Sequence, residues 1–243
     1  TGGSTKKKPG EDTTGMPLLV KDEAVVYRNF IATAGNRSIG VGYPGGFNLA
    51  WNAETMNLVL LWRGAFIDAA RHWNGRGAGP QPPAGYDVLR PAGMDTLPFA
   101  TLSSPGADWP KLEPKQRAAG YQFKGYRLDA ARRPTFSYEW NGVRVTDRFD
   151  PEGSAGTKEG KMIRTLTLTG GVVPENTWLR IATGKCEPLG GDAFTVDAGG
   201  ANVGGHTFDN KLIVTAPGAT LAGSNLVMPV KTGTLKVTYQ WLP

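Results

Sequence analysis

The sequence predicts an all-β protein, an antiparallel β-sandwich with little helix, and three observations support this fold class. Apolar and polar residues alternate with period two in many segments, the pattern of strands with one packed and one wet face. The 34 glycines and 18 prolines among 243 residues supply many turns without forming a low-complexity tract. Helical periodicity is nearly absent. One architecture that meets these conditions is a large sandwich of two sheets.

The clearest strands flank an Asn-Gly pair. Residues 135–140 and 143–149 each alternate, and Asn141 and Gly142 between them are the residues that a type I′ hairpin turn favours. A second hairpin is expected at residues 47–63, where apolar and polar residues alternate along 47–52 and the run 53–57 turns the chain into 58–63. Further strands are predicted at 25–31, 121–128, 162–169, 178–182, 211–215 and 234–241.

The chain divides into a leader and one domain. Residues 1–16 are polar, rich in glycine, threonine and lysine, and without hydrophobic periodicity, so we expect a flexible N-terminal leader. Residues 17–243 are predicted to form a single β-sandwich domain, because all-β domains of this size commonly fold as one unit. The chain begins without methionine, as it would after signal cleavage, although a recombinant truncation would look the same. We therefore expect an exported protein, periplasmic or extracellular.

Charge and cysteine content exclude several classes of protein. The net charge is +6, and residues 111–148 hold nine basic residues against four acidic ones. Such a stretch either attracts a polyanion or forms the solvated face of a sheet. No nucleic-acid-binding motif accompanies it, so we expect no nucleic-acid partner. The single cysteine, Cys186, rules out an internal disulfide. No run approaches the roughly 18 apolar residues that a membrane span requires.

The segment 62–79 is the richest in chemical groups, because polar and aromatic side chains crowd a glycine-punctuated loop at a strand end. His72, with Asp68 as its orienting partner, is the candidate general acid or base. Trp73, and Trp109 in a later loop, are candidates for stacking on a sugar. The structural alternative is that Asp68 accepts hydrogen bonds from loop amides and His72 caps the turn. The candidate ligand-binding residues are Arg63, Arg71, Trp73, Asn74, Arg76 and Trp109.

Other catalytic patterns are missing from the sequence. The only other histidine is His206, and the chain has no paired spacing such as H-x-H or H-E-x-x-H, so we expect no metal site. The glycines at 40–46 resemble a dinucleotide fingerprint only superficially, because no helix follows them. There is no G-x-S-x-G, C-x-x-C or haem-attachment motif. No cofactor is expected.

Five runs together resemble a known module. They are GYPGGF at 42–47, LWRGAFID at 61–68, HWNGRG at 72–77, GYRLD at 125–129 and RPTF at 133–136. Across residues 27–169 the chain resembles a β-rich module of large secreted proteins of planctomycetes, which also carry c-type cytochrome and quinoprotein-dehydrogenase-like domains. The resemblance implies export and an association with carbohydrate oxidation or electron transfer. This chain lacks the haem-binding motif, which puts a redox role of its own in doubt.

Three hypotheses about function follow. The first is a non-catalytic exported module that binds a glycan or a partner protein through the segment 62–79. Its fold would resemble the large two-sheet β-sandwich of the sugar mutarotases. The second is a carbohydrate-active enzyme, an epimerase or lyase, in which His72 is the acid/base and Arg71 or Arg76 holds a substrate carboxylate. The third is a structural subunit of a surface assembly, in which sheet edges pair between copies.

Overall fold

The computed structural model describes residues 15–73, 79–91, 93–94, 96–112, 120–198 and 211–242. Within these ranges the chain forms many strands and one short helix. In chain order they are β1 (Val25–Tyr27), β2 (Ser38–Tyr43), β3 (Phe47–Asn52), β4 (Asn57–Arg63), α1 (Ala70–Trp73), β5 (Tyr86–Leu89), β6 (Phe99–Thr101), β7 (Tyr121–Leu128), β8 (Pro134–Trp140), β9 (Val143–Glu152), β10 (Lys161–Thr169), β11 (Thr177–Thr183), β12 (Cys186–Gly190), β13 (Ala193–Asp197), β14 (Lys211–Thr215), β15 (Thr220–Ala222), β16 (Asn225–Pro229) and β17 (Gly233–Trp241).

The strands form three antiparallel sheets. Their orders are β1-β2-β3-β4-β5, β12-β13-β14-β17-β10-β9-β8-β7 and β15-β16-β11-β6. The predicted all-β, sandwich-type fold is therefore confirmed, with three sheets where the mutarotase-like form has two. Gly170 and Gly171, at φ of 64° and 69°, lie in the turn that follows β10. The next strand, β11, then pairs with β6 and β16.

Both predicted hairpins are confirmed. Trp140 pairs with Val143, so Asn141 and Gly142 alone make the turn between β8 and β9. Their φ angles are 47° and 80°, and a type I′ turn requires positive values at both positions. The second hairpin joins β3 to β4 through residues 53–56.

The three sheets share the main hydrophobic core. At its centre Trp51 of β3 stacks on Phe136 of β8, with ring centroids 4.4 Å apart. Trp51 Nε1 also donates to Asp147 Oδ2 at 3.0 Å, and Arg164 donates to both oxygens of that carboxylate, at 2.9 and 2.6 Å. All four side chains are buried. A bidentate ion pair within β9 and β10 thus lies inside the core and is hydrogen-bonded to the five-stranded sheet.

The five-stranded sheet is buried on both faces. Alternation along residues 47–52 predicted one packed and one wet face, yet all six residues of β3 are buried. The reason is a second hydrophobic cluster on the outer face, where Leu60 and Trp62 of β4 meet Phe66 and Ile67. Among the described residues, no helix has the length and apolar character needed to span a bilayer.

Four segments form the cover of this outer face, and we call them the cover layer. They are residues 16–20, 29–34, 65–73 and 79–84. Backbone hydrogen bonds join them, for example from Leu18 N to Ile67 O at 2.8 Å and from Gln81 N to Phe30 O at 2.8 Å. Helix α1 belongs to this layer.

Two glycines of β2 let the cover layer approach the sheet closely. A Cβ atom at Gly42 would lie 2.6 Å from Val20 Cγ2 and 2.8 Å from Phe66 Cγ. A Cβ atom at Gly40 would lie 2.8 Å from Ile31 Cδ1. At these distances a side chain at either position would force neighbouring groups to shift, so the two glycines allow close packing against the strand.

Candidate functional site

Asp68 fixes the start of helix α1. Its Oδ1 accepts hydrogen bonds from the backbone N–H groups of Ala70, at 2.9 Å, and Met16, at 2.8 Å. The first bond satisfies an amide at the beginning of the helix, where no intrahelical partner exists. The second ties Met16, the last residue of the proposed leader and the first of the cover layer, to the segment 65–73. Most of the leader, residues 1–14, lies outside the described residues.

His72 is held at both ring nitrogens. Nε2 lies 2.8 Å from the carbonyl oxygen of Gly79, and Nδ1 is hydrogen-bonded to the hydroxyl of Tyr27 in β1. A carbonyl oxygen only accepts, so Nε2 carries the proton that is donated to Gly79. In the neutral imidazole Nδ1 then accepts the hydrogen bond from Tyr27. Both nitrogens that acid/base chemistry would use are therefore engaged within the protein.

The partner that orients His72 is Tyr27, and the hydrogen bonds of Asp68 go to backbone amides. The ring of Tyr27 also lies beside the imidazole, with centroids 5.9 Å apart and planes inclined by 22°. Burial and the nearby Asp68 carboxylate raise the pKa of Tyr27 to about 12. The hydroxyl therefore keeps its proton at neutral pH and remains a donor.

Two large rings around His72 are exposed to solvent. Trp73, the next residue, is 58% exposed, and Phe30 is 51% exposed. The edge of Phe30 meets the imidazole at a centroid distance of 6.3 Å and an angle of 71°. We call Tyr27, Phe30, His72 and Trp73 the aromatic site. It combines two solvent-exposed apolar rings with an imidazole that is held by hydrogen bonds to Tyr27 and Gly79. Such an arrangement is suited to stacking on a flat ligand.

A strained backbone position lies close to the aromatic site. Thr33 has φ of 63°, in the left-handed region that β-branched residues avoid. It lies in the turn closed by the bond from Ala34 N to Ile31 O, which immediately follows Phe30. Strain of this kind persists only where the surrounding structure enforces it, and it is concentrated at functional sites.

Three of the arginine and tryptophan candidates lie apart from the aromatic site or contribute little to it. Arg63 donates to Asp87 and, at 2.9 Å, to the carbonyl of Ala155, so it joins strand ends. Trp109 is only 7% exposed, and its Nε1 donates to the carbonyl of Leu97 at 2.9 Å. Arg71 is exposed, and its contact with the carbonyl of Pro80 is long, at 3.4 Å. Trp109 thus belongs to the interior, where a ligand has little access to its ring.

The remaining candidates fall outside the described residues. These are Asn74 and Arg76 of the glycine-rich segment, and His206. Within the described ranges, no group of three or more histidine, cysteine, aspartate or glutamate side chains is placed to hold a metal ion.

Some of the described basic residues of 111–148 pair with carboxylates on the eight-stranded sheet, chiefly Arg133 and Arg148. Arg148 bonds to Asp129 at 2.8 Å and to Asp150 at 2.9 Å, and Arg133 bonds to Asp150 at 3.1 Å. These pairs neutralise guanidinium groups that a polyanion would contact. Of the two interpretations of this stretch, a polyanion-binding surface or the solvated face of a sheet, the ion pairs favour the solvated face.

Sequence reasoning missed Tyr27 and Phe30. Tyr27 is 45 residues from His72, and nothing in the local pattern of either segment indicates that they meet. Phe30 stands alone between polar and apolar residues and reads as an ordinary core residue. A solvent-exposed phenylalanine beside a fixed histidine is recognisable only once the cover layer is assembled.

Comparison of the chain with protein-family models, with curated proteins and with solved structures finds no match. The candidate site therefore rests on the described side chains, among which Phe30, His72 and Trp73 combine exposed rings with a fixed imidazole.

Proposed function

We propose that this chain is an exported, non-catalytic β-sandwich module that binds a glycan through the aromatic site. The observation that carries the proposal is the exposure of Trp73, at 58%, next to a histidine anchored through both ring nitrogens. Sugar rings present flat C–H faces that stack on exposed aromatic rings, and tryptophan offers the largest such area with little entropy to lose. Phe30, whose ring contacts the imidazole of His72, supplies a second exposed apolar ring.

The enzyme hypothesis draws less support from the same site. A general acid or base must reach substrate with a free nitrogen or oxygen. His72 already uses Nδ1 with Tyr27 and Nε2 with Gly79, and the Asp68 carboxylate is occupied by backbone amides. An epimerase or lyase built on His72 would have to break one of these bonds in each turnover.

The hypothesis of assembly through sheet edges also draws less support. At the edge strand β12, the bond from Asp197 N to Lys185 O implies that the pair 187/195 is hydrogen-bonded and the pair 188/194 is not. The nitrogen of Pro188 then faces the open edge and has no hydrogen to donate. Proline at such a position discourages pairing with another chain.

Export and the setting in carbohydrate oxidation or electron transfer are proposed from the resemblance of residues 27–169 to the planctomycete module. A glycan-binding module fits that setting, because it would hold a larger exported protein near its polysaccharide. In this proposal the module uses no cofactor, and its partner is the glycan.

A glycan array tests the proposal. We expect the full chain to bind a defined subset of the array, and Trp73→Ala to lose that signal. Val172→Ala is the matched control, because Val172 is an exposed apolar residue, 82% accessible, outside the aromatic site. Absence of binding to every glycan, or equal binding by Trp73→Ala, would refute the proposal. A protein partner lost in Trp73→Ala would replace the glycan as the ligand class.

A further inference from the structure

We propose that His72 is the positioning residue of the aromatic site, and that it fixes Trp73 in relation to Phe30. The inference rests on the proposed function, because it names what orients the ring that contacts the glycan. His72 itself makes no contact with ligand in this account. It acts on Trp73, its neighbour in the chain, and on Phe30, whose ring centroid lies 6.3 Å from that of the imidazole.

His72 joins three segments of the cover layer and the sheet. Through Nδ1 it is hydrogen-bonded to Tyr27 in β1, and through Nε2 to the carbonyl of Gly79, 2.8 Å away. Through its ring it meets the edge of Phe30, with centroids 6.3 Å apart. This one side chain thereby connects residues 27, 30 and 79.

Helix α1 cannot supply this order by itself. It contains only four residues, 70–73, and none of them is fully buried. A single helical turn is unfavourable in water, because several residues are fixed for one hydrogen bond. The backbone N–H groups of His72 and Trp73 both bond to the carbonyl of Ala69, at 3.0 and 3.1 Å. These bonds close the helical turn but do not orient it relative to β1. The hydrogen bond between the imidazole and Tyr27 provides that orientation.

Substitutions can remove the two hydrogen bonds of the His72 side chain one at a time. Replacement of His72 by Gln retains an amide nitrogen near the position of Nε2, and so retains a donor for Gly79. Replacement by Asn retains a polar atom near Nδ1, and so retains a partner for Tyr27. Tyr27→Phe removes only the hydroxyl of the first bond. His72→Ala removes both bonds.

The test is ¹⁹F NMR of the full chain labelled with 5-fluorotryptophan, in the absence of any glycan. The sequence contains seven tryptophans, and the Trp73 resonance is assigned by its loss in Trp73→Phe. We expect His72→Ala to shift and broaden this resonance while the other six stay in place. We expect His72→Gln and Tyr27→Phe to give the same smaller shift, and the double variant to add nothing, because both changes remove one and the same hydrogen bond.

A Trp73 resonance that is unchanged in His72→Ala would overturn the inference, as would additive shifts in the His72→Gln/Tyr27→Phe double variant. Should His72→Ala fail to fold, the Gln, Asn and Tyr27→Phe variants decide by the same criterion. The control Val172→Ala should leave the resonance unchanged. Because the resonance is read without glycan, failure of this test and failure of glycan binding are separate results.

Discussion

The hydroxyl of Tyr121 forms hydrogen bonds with both backbone polar groups of Phe99. It accepts a hydrogen bond from the N–H of Phe99 at 3.2 Å and donates one to the carbonyl of the same residue at 3.1 Å. Phe99 lies in β6, an edge of the four-stranded sheet, and Tyr121 lies in β7, an edge of the eight-stranded sheet. One side chain therefore covers an open edge and joins two sheets.

Tyr121→Phe is expected to lower the free energy of unfolding by about 1–3 kcal/mol, because it leaves a buried N–H and a buried carbonyl without partners. Urea denaturation measures the change. Tyr126→Phe in the same strand is the control, because the contacts of Tyr126 are made by its ring, with Phe136 and Arg28. Equal stability of the two variants would show that the Tyr121 hydroxyl does not stabilise the β6 edge.

Gly142→Val is expected to lower the free energy of unfolding by about 1–3 kcal/mol, because a β-branched residue is forced to positive φ. A Cβ atom at Gly142 would meet no neighbour within 4 Å, so the loss would come from the backbone alone. Gly156→Val is the control, at a glycine with equally open space and no positive φ. If both variants unfold at the same denaturant concentration, the turn is not strained by the side chain.

Arg164→Met is expected to destabilise the protein by about 3–5 kcal/mol, because it leaves the Asp147 carboxylate charged and unpaired in the core. The double variant Asp147→Leu/Arg164→Met should recover part of this loss, since a hydrophobic pair replaces an ion pair. Trp51 Nε1 loses its acceptor in the double variant, so recovery should stay incomplete. Strictly additive losses in urea denaturation would show that the two side chains do not act as a pair.

Asp129 should make stability depend on pH in the acid range. Its hydrogen bond from Arg148, with those from the Arg133 and Ala131 amides, holds the pKa below its ordinary value of 3.8. A carboxyl with a lowered folded-state pKa contributes stability that is fully present above its unfolded pKa. That contribution is lost as the pH falls through the folded pKa. Thermal unfolding between pH 5 and pH 2 should show a smaller decline in Asp129→Asn than in the unmodified protein. An identical decline would show that Asp129 does not contribute.

Alternation was sufficient to locate most strands of the eight-stranded sheet, because that sheet has one packed face and one wet face. The predicted segment 121–128 coincides with β7, and 211–215 with β14. β2 was not predicted although its apolar residues alternate, because Gly40 and Gly42 occupy the other face and glycine is uncommon in strands. Those glycines are required because the cover layer packs against them, a relationship between distant segments that no local pattern contains.

The candidate site was predicted in part for the same reason. Trp73 and His72 were singled out because aromatic and polar groups crowd one loop of the sequence. Their partners Tyr27 and Phe30 come from another segment, and only folding of the cover layer brings them together. The exposure of Trp73 and the burial of Trp109 likewise depend on what covers each ring, and both residues look alike in the sequence.

Calorimetric titration of Trp73→Ala tests the central claim most directly, with the best soluble glycan from the array as the probe and Val172→Ala as the control. Binding is expected to weaken by about 1–3 kcal/mol, the usual loss for an aromatic anchor. The thermal midpoint should stay within a few degrees of the parent value, because a ring that is 58% exposed has little packing to lose. Unchanged affinity, or a loss of folding stability of about 3–5 kcal/mol as for a buried ring, would contradict the account.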